Sequence, residues 1–120
     1  MPLSSQSKRI VLTVHQVPRP NGALRQVLHT AVGLAAGPPR HQVSVLLMGD
    51  GVVHGLREHG RPACDRYLRS ARAHGIELYV DHHAMMLRGL LGGQLLEGFS
   101  VLSRERVLLL LGRSQVHLRI

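Results

Sequence analysis

The sequence predicts an α/β protein, a three-layer sandwich in which a mostly parallel sheet of about five strands carries helices on both faces. Three observations predict it. The runs at 9–14 (RIVLTV), 42–48 (QVSVLLM) and 76–80 (IELYV) are short, rich in Val, Ile and Leu, and apolar without strict alternation. Strands of that kind are covered on both sides, as parallel ones are. The segments between them are long enough for the helical crossovers that parallel pairing demands. Glycine and proline punctuate the junctions.

Each element follows in order. After the first strand, Pro18, Pro20, Asn21 and Gly22 break the extended chain. From Ala23 onward apolar residues fall at 24, 27, 28, 31 and 35, the spacing of one helical face. Gly37-Pro38-Pro39 ends that helix, because proline cannot continue it. The second strand runs into the glycine-rich turn Gly49-Asp50-Gly51. Pro62 suits the first turn of the next helix, where its missing N–H costs nothing. The apolar face of that helix is Cys64, Tyr67, Leu68 and Ala71, and Gly75 lies just past its end. The third strand leads into a helix from about residue 83 to residue 91, followed by Gly92-Gly93. A short strand is expected at 99–102. Ser103 then caps a helix over 104–111 with Gly112 as its C-cap, although the apolar run 107–111 also suits a strand. Val116, Leu118 and Ile120 alternate with Gln115, His117 and Arg119, which predicts a last strand with one wet face.

Length and composition narrow the function classes. A chain of 120 residues, 44% of them hydrophobic, buries one core without needing disulfides or metal. We expect one domain over residues 8–120 behind a polar, disordered tail at 1–7. No stretch resembles a secretory signal, and the longest apolar run is far too short to span a bilayer. A single cysteine excludes an internal disulfide and fits a reducing, cytoplasmic setting. The net charge of +8 comes almost wholly from arginines spread along the chain. With only three aromatic residues, base stacking has little to work with, which argues against nucleic acid as a partner. Arg66, Arg69 and Arg72 fall on a helical face away from the apolar one. That face reads as solvated, with a docking surface for an acidic partner or an anion as the alternative.

Parallel sheets bind ligands outside the carboxyl ends of their strands. His15, Asp50, His54, Asp81, His82 and His83 all lie in or beside loops after the first three strands, with Gln16 nearby. These form the candidate ligand-binding rim. Each also has a structural reading. Asp81, between a strand and a helix, is an ordinary N-cap. His82 and His83 diverge by about 100° on a regular helix, so one metal held by both requires an irregular backbone. Their spacing matches none of the stronger metal motifs. Gly49-Asp50-Gly51 lacks the Lys and Ser/Thr of a phosphate loop and reads as a turn. Cys64, on the apolar face, reads as a small hydrophobe. No cofactor motif is present.

Three segments carry a family resemblance. They are Gly49-Asp50-Gly51-Val52-Val53, the stretch Gly75-Ile76-Glu77-Leu78-Tyr79-Val80 through Asp81-His82-His83 to Met85-Met86-Leu87-Arg88-Gly89-Leu90, and Leu96-Glu97-Gly98-Phe99. In order and spacing the chain from Lys8 onward resembles the DsrE/DsrF-like family, small α/β proteins associated with sulfur relay. In many members the third strand ends in a cysteine, to which a helix N-terminus would lend thiolate character for carrying persulfide. Here Asp81 stands at that position. The resemblance therefore implies a homo-oligomer, dimer to hexamer, acting as a non-catalytic or accessory component linked to intracellular sulfur metabolism, without the carrier cysteine. Other sulfur-relay proteins are its implied partners. The alternative is a small-molecule or metal-binding protein using the His/Asp-rich rim. An enzyme using His82 or His83 as general base is a third reading, with no nucleophile motif beside it.

Overall fold

A computed structural model describes residues 7–16, 23–56, 62–90 and 95–120, with side chains from Leu24 in the first helix and from Arg66 in the second. The elements are β1 (Arg9–Val14), α1 (Ala23–Ala36), β2 (Gln42–Leu47), a 3-10 helix (Gly49–Gly55), α2 (Pro62–Ala73), β3 (Glu77–Asp81), α3 (His82–Leu87), β4 (Phe99–Leu102), α4 (Arg104–Arg113) and β5 (Val116–Arg119). Five strands form one sheet in the order β4-β3-β2-β1-β5. Every neighbouring pair is parallel. The predicted α/β sandwich is the fold observed.

The two faces differ in chemistry. On one, Ile10, Leu12 and Val14 of β1, Val43, Val45 and Leu47 of β2, and Leu78 and Val80 of β3 form a continuous apolar surface. It packs against Leu24, Val27, Leu28 and Ala31 of α1 and Leu68 and Ala71 of α2. Those α1 positions are the ones whose spacing marked a single face, so burial follows the periodicity. Leu28 is fully enclosed; truncation to Ala there is expected to cost about 2–5 kcal/mol. On the other face a smaller cluster joins Val11, Leu46, Leu102 and Val107, and among the described residues α4 is the helix that packs on it. Strand residues between them are polar: Thr13, Ser44, Glu77 and Tyr79.

Local signals were accurate at most termini. The Asp81 carboxylate accepts from the backbone N–H of His83 at 3.2 Å, and the Ser103 side chain accepts from that of Arg106 at 3.3 Å. Both caps are as expected. Gly75 follows α2 with φ of 73°, the left-handed conformation that favours glycine. Four details differ. The glycine-rich turn is a 3-10 helix, Gly49–Gly55. The third helix is shorter than expected, six residues from His82 to Leu87, and Gly89 beyond it has φ of 65°. Gly112 lies inside α4, whose C-cap is Ser114. Leu118 stays exposed, so both faces of β5 are largely wet, as befits an edge strand. Of the expected tail at 1–7, only Ser7 is within the described residues, its hydroxyl donating to the Arg40 carbonyl at 2.6 Å.

Among the described residues, no helix is long and apolar enough to cross a membrane.

Candidate functional site

Because all strands run the same way, the segments after β1, β2 and β3 meet at one carboxyl edge. His15 and Gln16 leave β1, the 3-10 helix with Asp50 and His54 leaves β2, and Asp81, His82 and His83 join β3 to α3. The topology places all six rim candidates at this edge. Their side chains, however, go to different tasks.

His54 is buried, 5% exposed, and its Nε2 lies 2.9 Å from the Gln16 carbonyl. A carbonyl only accepts, so Nε2 carries the proton. The ring thus ties the loop after β1 to the loop after β2. Asp50 instead reaches sideways, its Oδ1 accepting from Arg88 Nη2 at 2.5 Å, while Arg88 Nη1 donates to the Ala84 carbonyl at 3.0 Å. This links the 3-10 helix to α3. Asp81 is 3% exposed and committed to its cap. His82 and His83 are exposed. His15 is half-buried; burial, then the positive charge of Arg119 and then His117, lowers its pKa from the ordinary 6.5. His117 sits nearby with Nε2 2.7 Å from the Thr13 hydroxyl.

Chemically the rim offers hydrogen-bonding imidazoles. Among the described residues, no group of three or more His, Cys, Asp and Glu is placed to hold a metal ion. The Cys64 side chain lies outside the described ones, and the solvated-face reading of Arg66, Arg69 and Arg72 matches their exposure. Arg72 makes an exposed ion pair with Glu97 at 3.9 Å.

Sequence reasoning missed a groove away from the rim. On the α4 face, a groove of about 520 Å³ opens between the helix and the amino-terminal halves of β1, β2 and β3. Ser44, Glu77 and Tyr79 form its floor, and Arg106, Leu109 and Arg113 line it from α4. The Tyr79 hydroxyl donates to the Glu77 carboxylate. Burial, then that hydrogen bond and the Glu77 charge, push the Tyr79 pKa up to about 12, with Arg106 opposing. The available signal was the polar residue at every second position, Ser44 in β2 and Glu77 and Tyr79 in β3, interrupting runs that otherwise read as apolar on both sides.

A fully parallel five-stranded sheet, covered on both faces and carrying an acidic cap after the third strand, defines a small α/β protein of the sandwich class. The chain belongs to the DsrE/DsrF-like family, whose model matches residues 5–118. Among solved structures it is similar to the ychN protein from E. coli, at 18% identity and a TM-score of 0.77, over 94% of this chain and 99% of that one. It is similar also to the protein of unknown function MTH1491 from Methanobacterium thermoautotrophicum, at 16% identity and a TM-score of 0.76, over 95% of this chain and 100% of that one. Those likenesses show the fold. No curated protein matches the chain.

Proposed function

We propose that this chain is a homo-oligomeric accessory component linked to intracellular sulfur metabolism, acting in the cytoplasm without carrying persulfide at the strand–helix junction. Family membership supports the sulfur link. One observation supports the absence of persulfide carriage: the junction after β3 holds Asp81, buried and accepting a backbone N–H as the cap of α3. A carboxylate has no sulfur to load, so its work there is structural. Such a member would act by occupying a place in an assembly with other sulfur-relay proteins, contributing surface in place of chemistry. The test is mass spectrometry after exposure to a persulfide donor. Wild-type protein is expected to gain no stable sulfur, while Asp81→Cys gains one. Stoichiometric uptake by the wild type would overturn the reading.

A second reading, ligand binding at the rim, draws support from the exposure of His82 and His83 at the carboxyl edge. Titration calorimetry with zinc on wild type and on His82→Ala/His83→Ala tests its metal form. Equal, weak binding by both proteins would eliminate it.

A further inference from the structure

The floor of the groove beside α4 holds a buried polar group with nothing to bond. Ser44 is 7% exposed and lines the groove, and its hydroxyl makes no hydrogen bond among the described residues. Every fully enclosed side-chain nitrogen or oxygen among those residues has a partner, so the Ser44 hydroxyl is reached from the groove itself. A hydroxyl so deeply set is normally satisfied by protein, water or ligand. The groove has about 520 Å³ to offer one. That lies within the roughly 300–1,000 Å³ of small-molecule sites.

The charges around the groove are unevenly placed. Val11, Ser44 and Glu77 lie in one row across β1, β2 and β3. Glu77 thus marks the β3 side, where its carboxylate accepts from the Tyr79 hydroxyl and Arg106 acts on that same hydroxyl. The other acidic lining residue, Glu105, is in the first turn of α4, which begins directly after β4, the neighbour of β3. The β1 side is cationic. There Arg9 Nε donates to the Arg113 carbonyl at 3.1 Å, joining the start of β1 to the last turn of α4. Among the described residues neither Arg9 nor Arg113 makes an ion pair. Leu109 and Leu110 supply an apolar wall from the helix.

We infer that this groove binds an amphipathic organic anion, its apolar body against Leu109 and Leu110, its charged group at Arg9 and Arg113, and a polar atom on the Ser44 hydroxyl. The sign follows from the lining. Guanidinium groups without an internal partner hold an oxyanion by charge-assisted hydrogen bonds, and the net charge of +8 favours its approach. Glu77 repels the same group from the β3 side, so the ligand lies in one direction. The site is separate from the rim, which stands at the carboxyl ends of the strands, and it does not depend on the sulfur link or on assembly.

The probe is 8-anilinonaphthalene-1-sulfonate, titrated by fluorescence into the full-length protein. N-phenyl-1-naphthylamine, the same ring system without the sulfonate, is its neutral counterpart. Circular dichroism confirms that each variant is folded. Wild type should bind the sulfonate saturably, at one site per chain, and more tightly than the neutral probe. Arg113→Gln should weaken the sulfonate about fivefold or more and leave the neutral probe unchanged. Ser44→Ala should weaken both about threefold, since both carry the anilino N–H. Arg69→Gln, on α2 across the sheet, removes an equal charge and should change neither. Equal losses in Arg113→Gln and Arg69→Gln would reduce the effect to net charge and overturn the site. A neutral probe bound by wild type as tightly as the sulfonate would overturn it too, as would no saturable binding at all. Ser44→Ala protein that binds both probes like wild type would overturn the contact at the floor. Sulfonate binding that appears only on dilution to monomer, followed by sedimentation, would make a second copy the occupant and overturn the inference.

Discussion

Gly51 lies so close beneath the end of β1 that a Cβ on it would stand 1.9 Å from the Val14 carbonyl oxygen and 2.6 Å from its carbonyl carbon. The same carbonyl accepts the Met48 N–H at 2.9 Å, which fixes where the 3-10 helix crosses the strand end. Backbone against backbone cannot yield as a flexible side chain would. Gly51→Ala is therefore expected to cost about 3 kcal/mol or more. Gly49→Ala, with φ of 51° but open space around its Cβ, is expected to cost about 1–2 kcal/mol. Urea unfolding midpoints give the comparison; equal losses would contradict the close approach.

Asp81 is predicted to be a cap before anything else. Asp81→Ala should lower stability by about 1 kcal/mol through the lost bond to the His83 N–H. Asp81→Asn retains an acceptor oxygen and should stay within a few tenths of wild type. Denaturation of the two variants in parallel checks this, and an Asn variant as damaged as the Ala one would point to a need for the charge itself.

The half-buried His15 predicts an acid-side loss of stability. Its pKa is lowered from 6.5 in the folded state, so the unfolded chain takes up a proton that the folded chain refuses. The stabilising contribution is complete above 6.5 and is lost as pH falls through the lowered folded value. A histidine NMR titration should give His15 a midpoint below 6.5, and His15→Gln should flatten the slope of stability against pH in that window.

Tyr79 predicts the opposite limb. Its pKa is raised from 10.0 to about 12, so the folded chain keeps a proton that the unfolded chain releases. Stability from this group is complete below 10 and is lost as pH rises toward 12. Tyrosinate absorbance should show Tyr79 resisting ionisation well past 10, and Glu77→Gln should bring its midpoint down. A midpoint unchanged by that substitution would remove Glu77 as a cause.

Much of the scaffold was legible because its determinants are local. Helical spacing at 24, 27, 28 and 31, the acceptors at Asp81 and Ser103, and Gly75 past α2 act over one or two turns, distances at which sequence spacing is geometry. The rim was legible only as an edge. That six residues follow strand ends can be read from the chain once the sheet is parallel. That His54 turns inward to Gln16, or that Asp50 takes Arg88, depends on partners 38 residues away in both cases. No periodicity encodes those choices.

By itself, then, the sequence determined the alternation of strands and helices, the capped helix starts after Asp81 and Ser103, and the absence of cysteine at the β3–α3 junction. Tertiary structure alone decided the order β4-β3-β2-β1-β5, the assignment of α1 and α2 to one face and α4 to the other, and the wetness of β5. The physical reason is that apolar patterning says a side chain must be covered but not by what. Leu28 and Leu109 are alike in the sequence; packing encloses the first and leaves the second on the surface.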